Sequence, residues 1–158
     1  MENIYSLFIF VFGAIIGSFL NVVILRIPKG ESIVTTGSHC AHCQSPIKPY
    51  DNIPILSYFL LRGKCRNCQD KISFRYPLVE LLTAILFVLN YHVFGPSIEL
   101  ILNLILTSVL IAVTFIDFDT MIIPDVFHVI ILIIAIIKLI LYPSDIQSHL
   151  IGAFAISV

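Results

Sequence analysis

The sequence predicts an all-α polytopic membrane protein with a small soluble insert, and three observations lead there. The chain is 58% apolar and only 12% charged over 158 residues, with a mean hydropathy of +1.01. Soluble domains carry nearer a quarter of charged residues. The apolar residues gather into runs about as long as a helix needs to cross a hydrocarbon core. Eight of the nine Lys and Arg fall in one stretch, between the first two runs.

The full-length runs are residues 4–25, 77–94, 98–116 and 121–142. Lipid offers no hydrogen-bond partners, so a crossing backbone must satisfy itself, and each run is expected to be a helix. Residues 4–25 lack a basic start and are too long for the core of a cleaved leader, so they read as a retained span. Residues 146–158 are too few to cross. They are either a short re-entrant piece or a helix that the chain truncates, and truncation is the expectation. The fold expected is about four full transmembrane helices plus a partial fifth. Residues 1–25 form the first helix, 26–76 a cysteine-rich insert, and 77–158 a membrane core incomplete at its C-terminus.

The basic residues set the orientation. Arg26, Lys29, Lys48, Arg62, Lys64, Arg66, Lys71 and Arg75 mark residues 26–76 as cytoplasmic by the positive-inside rule. The N-terminus and the turn at Gly95-Pro96-Ser97 are then external. Residues 117–125 return to the cytoplasmic border, and another external turn falls near Pro143-Ser144. The net charge of −1 says nothing about partners by itself, and no nucleic-acid partner is expected. The lipid bilayer is the partner that composition demands.

The insert holds all four cysteines, as "CAHC" at 40–43 and "CRNC" at 65–68. Two C-x2-C pairs at this separation are the spacing of a tetrahedral zinc site, with Cys40, Cys43, Cys65 and Cys68 as ligands. Disulfides are the bland alternative, disfavoured in a reducing compartment. A redox pair is weaker still, because no βαβ pattern surrounds either motif. His39 and His42 are exposed loop histidines or substitute ligands. So small an insert needs a staple, and metal binding supplies folding free energy. Four thiolates leave no open coordination position, which makes the zinc structural. Residues 53–61 are apolar but too short to span; they read as a core piece or an interfacial segment against the membrane. The insert's positive charge suits anionic headgroups or a plain solvated face.

Residues 115–125, "FIDFDTMIIPD", set three carboxylates in otherwise apolar chain. On a continuous helix Asp117 and Asp125 would lie about 12 Å apart along the axis. Asp117 and Asp119 would face nearly opposite ways. A proton-sharing dyad needs carboxyls about 3 Å apart, so a partner for any of them must come from another segment. The structural alternative is that Asp119 or Thr120 N-caps the following helix, with Asp125 in its first turn. Pro124 marks a break or a new start nearby.

Gly13 and Gly17 form a small-x-x-x-small step for close helix packing, with Asn21 as interhelical hydrogen-bond glue. Glu80 pairs with Arg75, caps a helix or contacts substrate, and the sequence does not choose. Glu99 marks the outer interface, His128 packs within a helix, and Lys138 snorkels outward.

"GSFLNVVILRIP" (17–28), "YDNIPILS" (50–57) between the cysteine pairs, "SFRYPLVELLTA" (73–84) and "FIDFDTMIIPD" (115–125) occur in this order. Together they closely resemble the bacterial type IV prepilin peptidases, including members that process competence pseudopilins. The resemblance implies a multi-pass aspartic endopeptidase of the bacterial inner membrane. Such an enzyme cuts the basic leader from prepilins or pseudopilins and commonly methylates the new N-terminus with S-adenosylmethionine. It implies that Asp117 is the first catalytic aspartate and Asp125 an accompanying, supporting acid. The four cysteines match the family's cytoplasmic pairs.

One departure stands out. The family's second catalytic aspartate lies in a Gly-x-Gly-Asp motif, and none of the seven glycines here makes Gly-x-Gly. One carboxylate does not readily serve as both base and acid, so this chain alone is expected to have little or no peptidase activity. The alternative function is a non-catalytic membrane zinc-knuckle protein that docks pilin-like substrates or assembly partners. A thiol–disulfide oxidoreductase is a third option. No glycine-rich cofactor loop is visible, so methyl transfer rests on the resemblance alone.

Overall fold

A backbone that must satisfy its own hydrogen bonds in lipid leaves helices as the economical solution. The computed structural model describes residues 2–34 and 37–143, and among these there is no β-strand. Helix α1 spans Glu2–Arg26, α2 Leu56–Leu60, α3 Arg75–Phe94, α4 Ile98–Thr120 and α5 Asp125–Leu141. The chain divides into two compact units at the Pro124–Asp125 boundary.

Among the described residues, three helices are long and apolar enough to cross a membrane: α1, α3 and α4. The expected fourth is α5, whose 17 residues reach about 25 Å at 1.5 Å per residue, short of a hydrocarbon core of about 30 Å. Residues 146–158, Ser144 and Asp145 lie outside the described residues.

The start of α5 corrects one expectation. Asp119 and Thr120 belong to the last turn of α4 and do not N-cap the next helix. Met121 takes a left-handed conformation (φ 55°), and its N–H donates to the Asp117 carbonyl at 2.8 Å, closing α4. The Thr120 hydroxyl donates to the Ile116 carbonyl at 2.9 Å and accepts from the Ile122 N–H at 3.3 Å. A left-handed residue ends a helix, and the new one begins only after Pro124, with Asp125 in its first turn.

The seam between α1 and α3 is antiparallel and unusually close. A Cβ on Gly13 would fall 2.7 Å from the Ala84 Cα, and one on Gly17 would fall 2.6 Å from the Glu80 Cα. Four residues further along α1, the Asn21 amide donates to the Tyr76 carbonyl at 3.1 Å. Each step of four along α1 is answered by four back along α3. Small residues let the backbones touch, and the buried amide fastens the end of the seam. Helix α4 packs on both others, burying Ala112 and Ile116 completely alongside Val79, Thr83 and Phe87 of α3. Outward faces stay apolar, with Phe8, Leu89 and Ile101 all exposed, as expected where the solvent is lipid.

Candidate functional site

Between α1 and α3 the insert folds into two turns of one design. In the first, the Cys40 N–H donates to the Ser45 carbonyl at 3.0 Å and the Gln44 N–H to the Cys40 carbonyl at 3.0 Å. The second repeats this at the same offsets: Cys65 to Asp70 at 2.8 Å and Gln69 to Cys65 at 3.1 Å. Gln44 and Gln69 both adopt positive φ, 56° and 61°. Each side-chain amide folds back onto the second residue of its own motif, Ala41 or Arg66. Single bridges, His39 to Pro46 and Lys64 to Lys71, close each turn at equivalent positions. C-x2-C followed by a left-handed residue thus forms the same knuckle twice.

The two knuckles face each other. All four sulfurs lie within 4.8 Å of one another. Cys40 and Cys68 are 3.8 Å apart, Cys43 and Cys65 4.0 Å. A tetrahedron with zinc–sulfur bonds of about 2.3 Å has edges of about 3.8 Å, so a zinc ion fits the donor set and its size. Hydrogen bonds from the Ser45 hydroxyl and backbone pull the Cys43 thiol down to about 6. The Cys68 thiol is pushed up to about 12: a backbone bond at Asp70 opposes the rise, while burial and the neighbouring thiols drive it. Thiolates this close repel unless a cation sits among them.

Polar contacts brace the cluster. The Asn67 amide donates to the Ser45 hydroxyl at 2.9 Å, and that hydroxyl lies 2.7 Å from the Cys43 sulfur. Arg66 forks onto Asp51 at 2.8 and 2.6 Å, which holds the Asp51 carboxyl below the ordinary range. His39 and His42 are not in the cluster.

The acidic turn is the second candidate. Arg75, the first residue of α3, donates to the Asp119 carboxylate at 2.5 Å and to the Phe115 carbonyl at 3.2 Å. Its guanidinium also lies 5.0 Å from the centre of the Phe115 ring. Asp117, two residues earlier, is exposed, and among the described residues its carboxylate has no ion-pair or hydrogen-bond partner. A recess of about 130 Å³, lined by Asn21, Ile24, Leu25, Ser73, Arg75 and Tyr76, opens beside the arginine.

The profile of the Bacterial Peptidase A24 N-terminal domain matches residues 11–94, more than half of the chain. The chain belongs to this family. Its match takes in the seam glycines, both knuckles and Arg75. Similar curated proteins include the "Prepilin leader peptidase/N-methyltransferase" of Myxococcus xanthus, 48% identical over 77% of this chain and 36% of that protein. The protein of the same name from Neisseria gonorrhoeae is 44% identical over 73% of this chain and 49% of its own length. The "Type 4 prepilin-like proteins leader peptide-processing enzyme" of Escherichia coli O78:H11 is 48% identical over the same shares. The chain therefore spans between a third and a half of the length of these relatives. No solved structure matches it significantly.

Within this A24 chain the sequence singled out all four cysteines and Asp117, but not Arg75's partner or Glu80's. Glu80 neither pairs with Arg75 nor caps its helix; its carboxylate accepts the Ile55 N–H at 2.6 Å. Such contacts join residues 25 and 44 positions apart, and no local spacing announces them.

Proposed function

We propose that the chain supplies one half of a membrane aspartic endopeptidase that removes the basic leader from type IV prepilins or pseudopilins. The observation that carries this reading is the division of labour at the acidic turn. Arg75 is taken by Asp119, and among the described residues no cation pairs with Asp117. A carboxylate that must trade a proton with a second one needs that freedom. Asp117 is the base or acid of the dyad, and Asp125 is a supporting acid. The partner carboxylate is not supplied by residues 1–158, which hold no Gly-x-Gly-Asp.

In this reading the insert lies on the cytoplasmic side of the bacterial inner membrane, as the positive-inside rule suggests. Cys40, Cys43, Cys65 and Cys68 hold a structural zinc, which ties the two knuckles into one body. Methylation of the new N-terminus with S-adenosylmethionine accompanies cleavage, as the relatives' names suggest.

Cleavage of a model prepilin, by residues 1–158 and by the same chain extended with a Gly-x-Gly-Asp-bearing membrane segment, tests the proposal. Cleavage only by the extended chain is expected. Cleavage by residues 1–158 alone contradicts the dyad. Prepilin binding with cleavage by neither would favour a non-catalytic docking protein.

A further inference from the structure

Residues 53–61 are left undecided by sequence between a buried core piece and a membrane-border segment. Leu56, Phe59 and Leu60 stand at i, i+3 and i+4 on α2, which puts them on one face. All three are exposed, at 60%, 63% and 77%. The opposite face is engaged: the Tyr58 ring packs edge-on to Phe74 at 6.1 Å and lies against Gly63, where a Cβ would meet the Tyr58 hydroxyl at 2.9 Å. One side of α2 belongs to the insert, and among the described residues nothing covers the apolar side.

The backbone fixes the level at which this happens. Ile55 has φ 63° and ψ −54°, and the Leu56 N–H donates back to the Pro54 carbonyl at 2.6 Å. That is a γ-turn of the rare positive-φ kind, unfavourable for a β-branched residue. The Glu80 carboxylate holds it, accepting the Ile55 N–H at 2.6 Å. Glu80 is only five residues into α3, roughly 7.5 Å along its axis. A turn bonded there lies at the first turns of a membrane-crossing helix, and α2 starts from it. Phe74, immediately before α3, is itself 60% exposed. Arg62 and Lys64 follow α2 directly, as suits anionic headgroups.

We propose that α2 is an interfacial anchor whose Leu56, Phe59 and Leu60 enter the bilayer leaflet on the insert's side. This rests on α1 and α3 crossing the membrane and not on the peptidase reading. It gives the strained turn a purpose: Glu80 aims the apolar stripe at lipid and thereby holds the knuckles against the membrane.

The chain contains no Trp, so an introduced one is its sole indole reporter. Phe59→Trp, Leu60→Trp and, at a knuckle tip, His42→Trp are reconstituted in vesicles of phosphatidylcholine and phosphatidylglycerol with brominated acyl chains. Positions 59 and 60 are expected to be quenched several-fold more by bromine than position 42, and to be shielded from aqueous acrylamide. Acrylamide quenching equal to that at position 42 would overturn the anchor. So would shielding from acrylamide without bromine quenching, which would mean that protein covers the stripe. The second position guards against one variant failing to fold, as checked by retained helix content.

Discussion

The α1–α3 seam and the cysteine insert bring distant residues together by opposite means. In the seam, cohesion comes from what is missing: Gly13 and Gly17 lack the Cβ that would meet the α3 backbone at 2.7 and 2.6 Å. In the insert it comes from what is offered, four sulfur atoms within 4.8 Å, with no fully buried residue between 38 and 72. A seam made of absent atoms is broken by adding one, whereas a cluster made of donors would be broken by removing the zinc it is proposed to hold. The two regions should therefore fail separately and under different insults.

The largest effect is expected in the insert. Structural zinc sites carry apparent binding free energies of roughly 10–16 kcal/mol, so chelation or Cys65→Ser should unfold residues 38–72 while the helices persist. Zinc content by atomic absorption should fall from one per chain to near zero, with proteolysis confined to the insert. Loss of helix signal in parallel would show that the two regions are not independent.

Next comes the seam. Gly17→Leu drives a side chain into the Glu80 backbone, and overpacking costs about 1–3 kcal/mol or more where backbone cannot yield. Thermal unfolding in detergent should shift down while zinc content stays at one per chain. An unchanged midpoint would mean that the helices do not touch there.

The smallest effect concerns Asp51, whose largely covered side chain is paired with the exposed Arg66. Its depressed pKa means that the pairing contributes above the ordinary aspartate value of about 4 and is lost as pH falls through the lower folded value. An NMR titration of the Arg66 Nε–H resonance should show a midpoint below that ordinary value. A midpoint at or above it contradicts the pairing.

These regions also differ in how much the sequence discloses. The spacing of Gly13, Gly17 and Asn21, and the two C-x2-C pairs, are periodic or local patterns, and each lands where its pattern points. Three of the four expected spans follow from hydropathy, whereas α5 starts at Asp125 instead of 121 because Met121 turns left-handed and Pro124 delays the restart. What stayed hidden depends on chain reversal. Arg75 meets Asp119 because α3 and α4 pack antiparallel, and Glu80 meets Ile55 because the insert doubles back. Side-chain pairing across 25 or 44 residues leaves no period to read. That choice decides the acidic turn: the sequence offers Arg75 two nearby aspartates, and only the folded chain assigns it to Asp119.

The most direct test of that assignment compares Asp117→Asn with Asp119→Asn in the chain extended by a Gly-x-Gly-Asp-bearing segment, measuring prepilin leader cleavage. Asp117→Asn should abolish cleavage, and Asp119→Asn should leave most of it, since it loses only the bond to Arg75. Full activity in Asp117→Asn, or abolition by Asp119→Asn alone, would contradict the account.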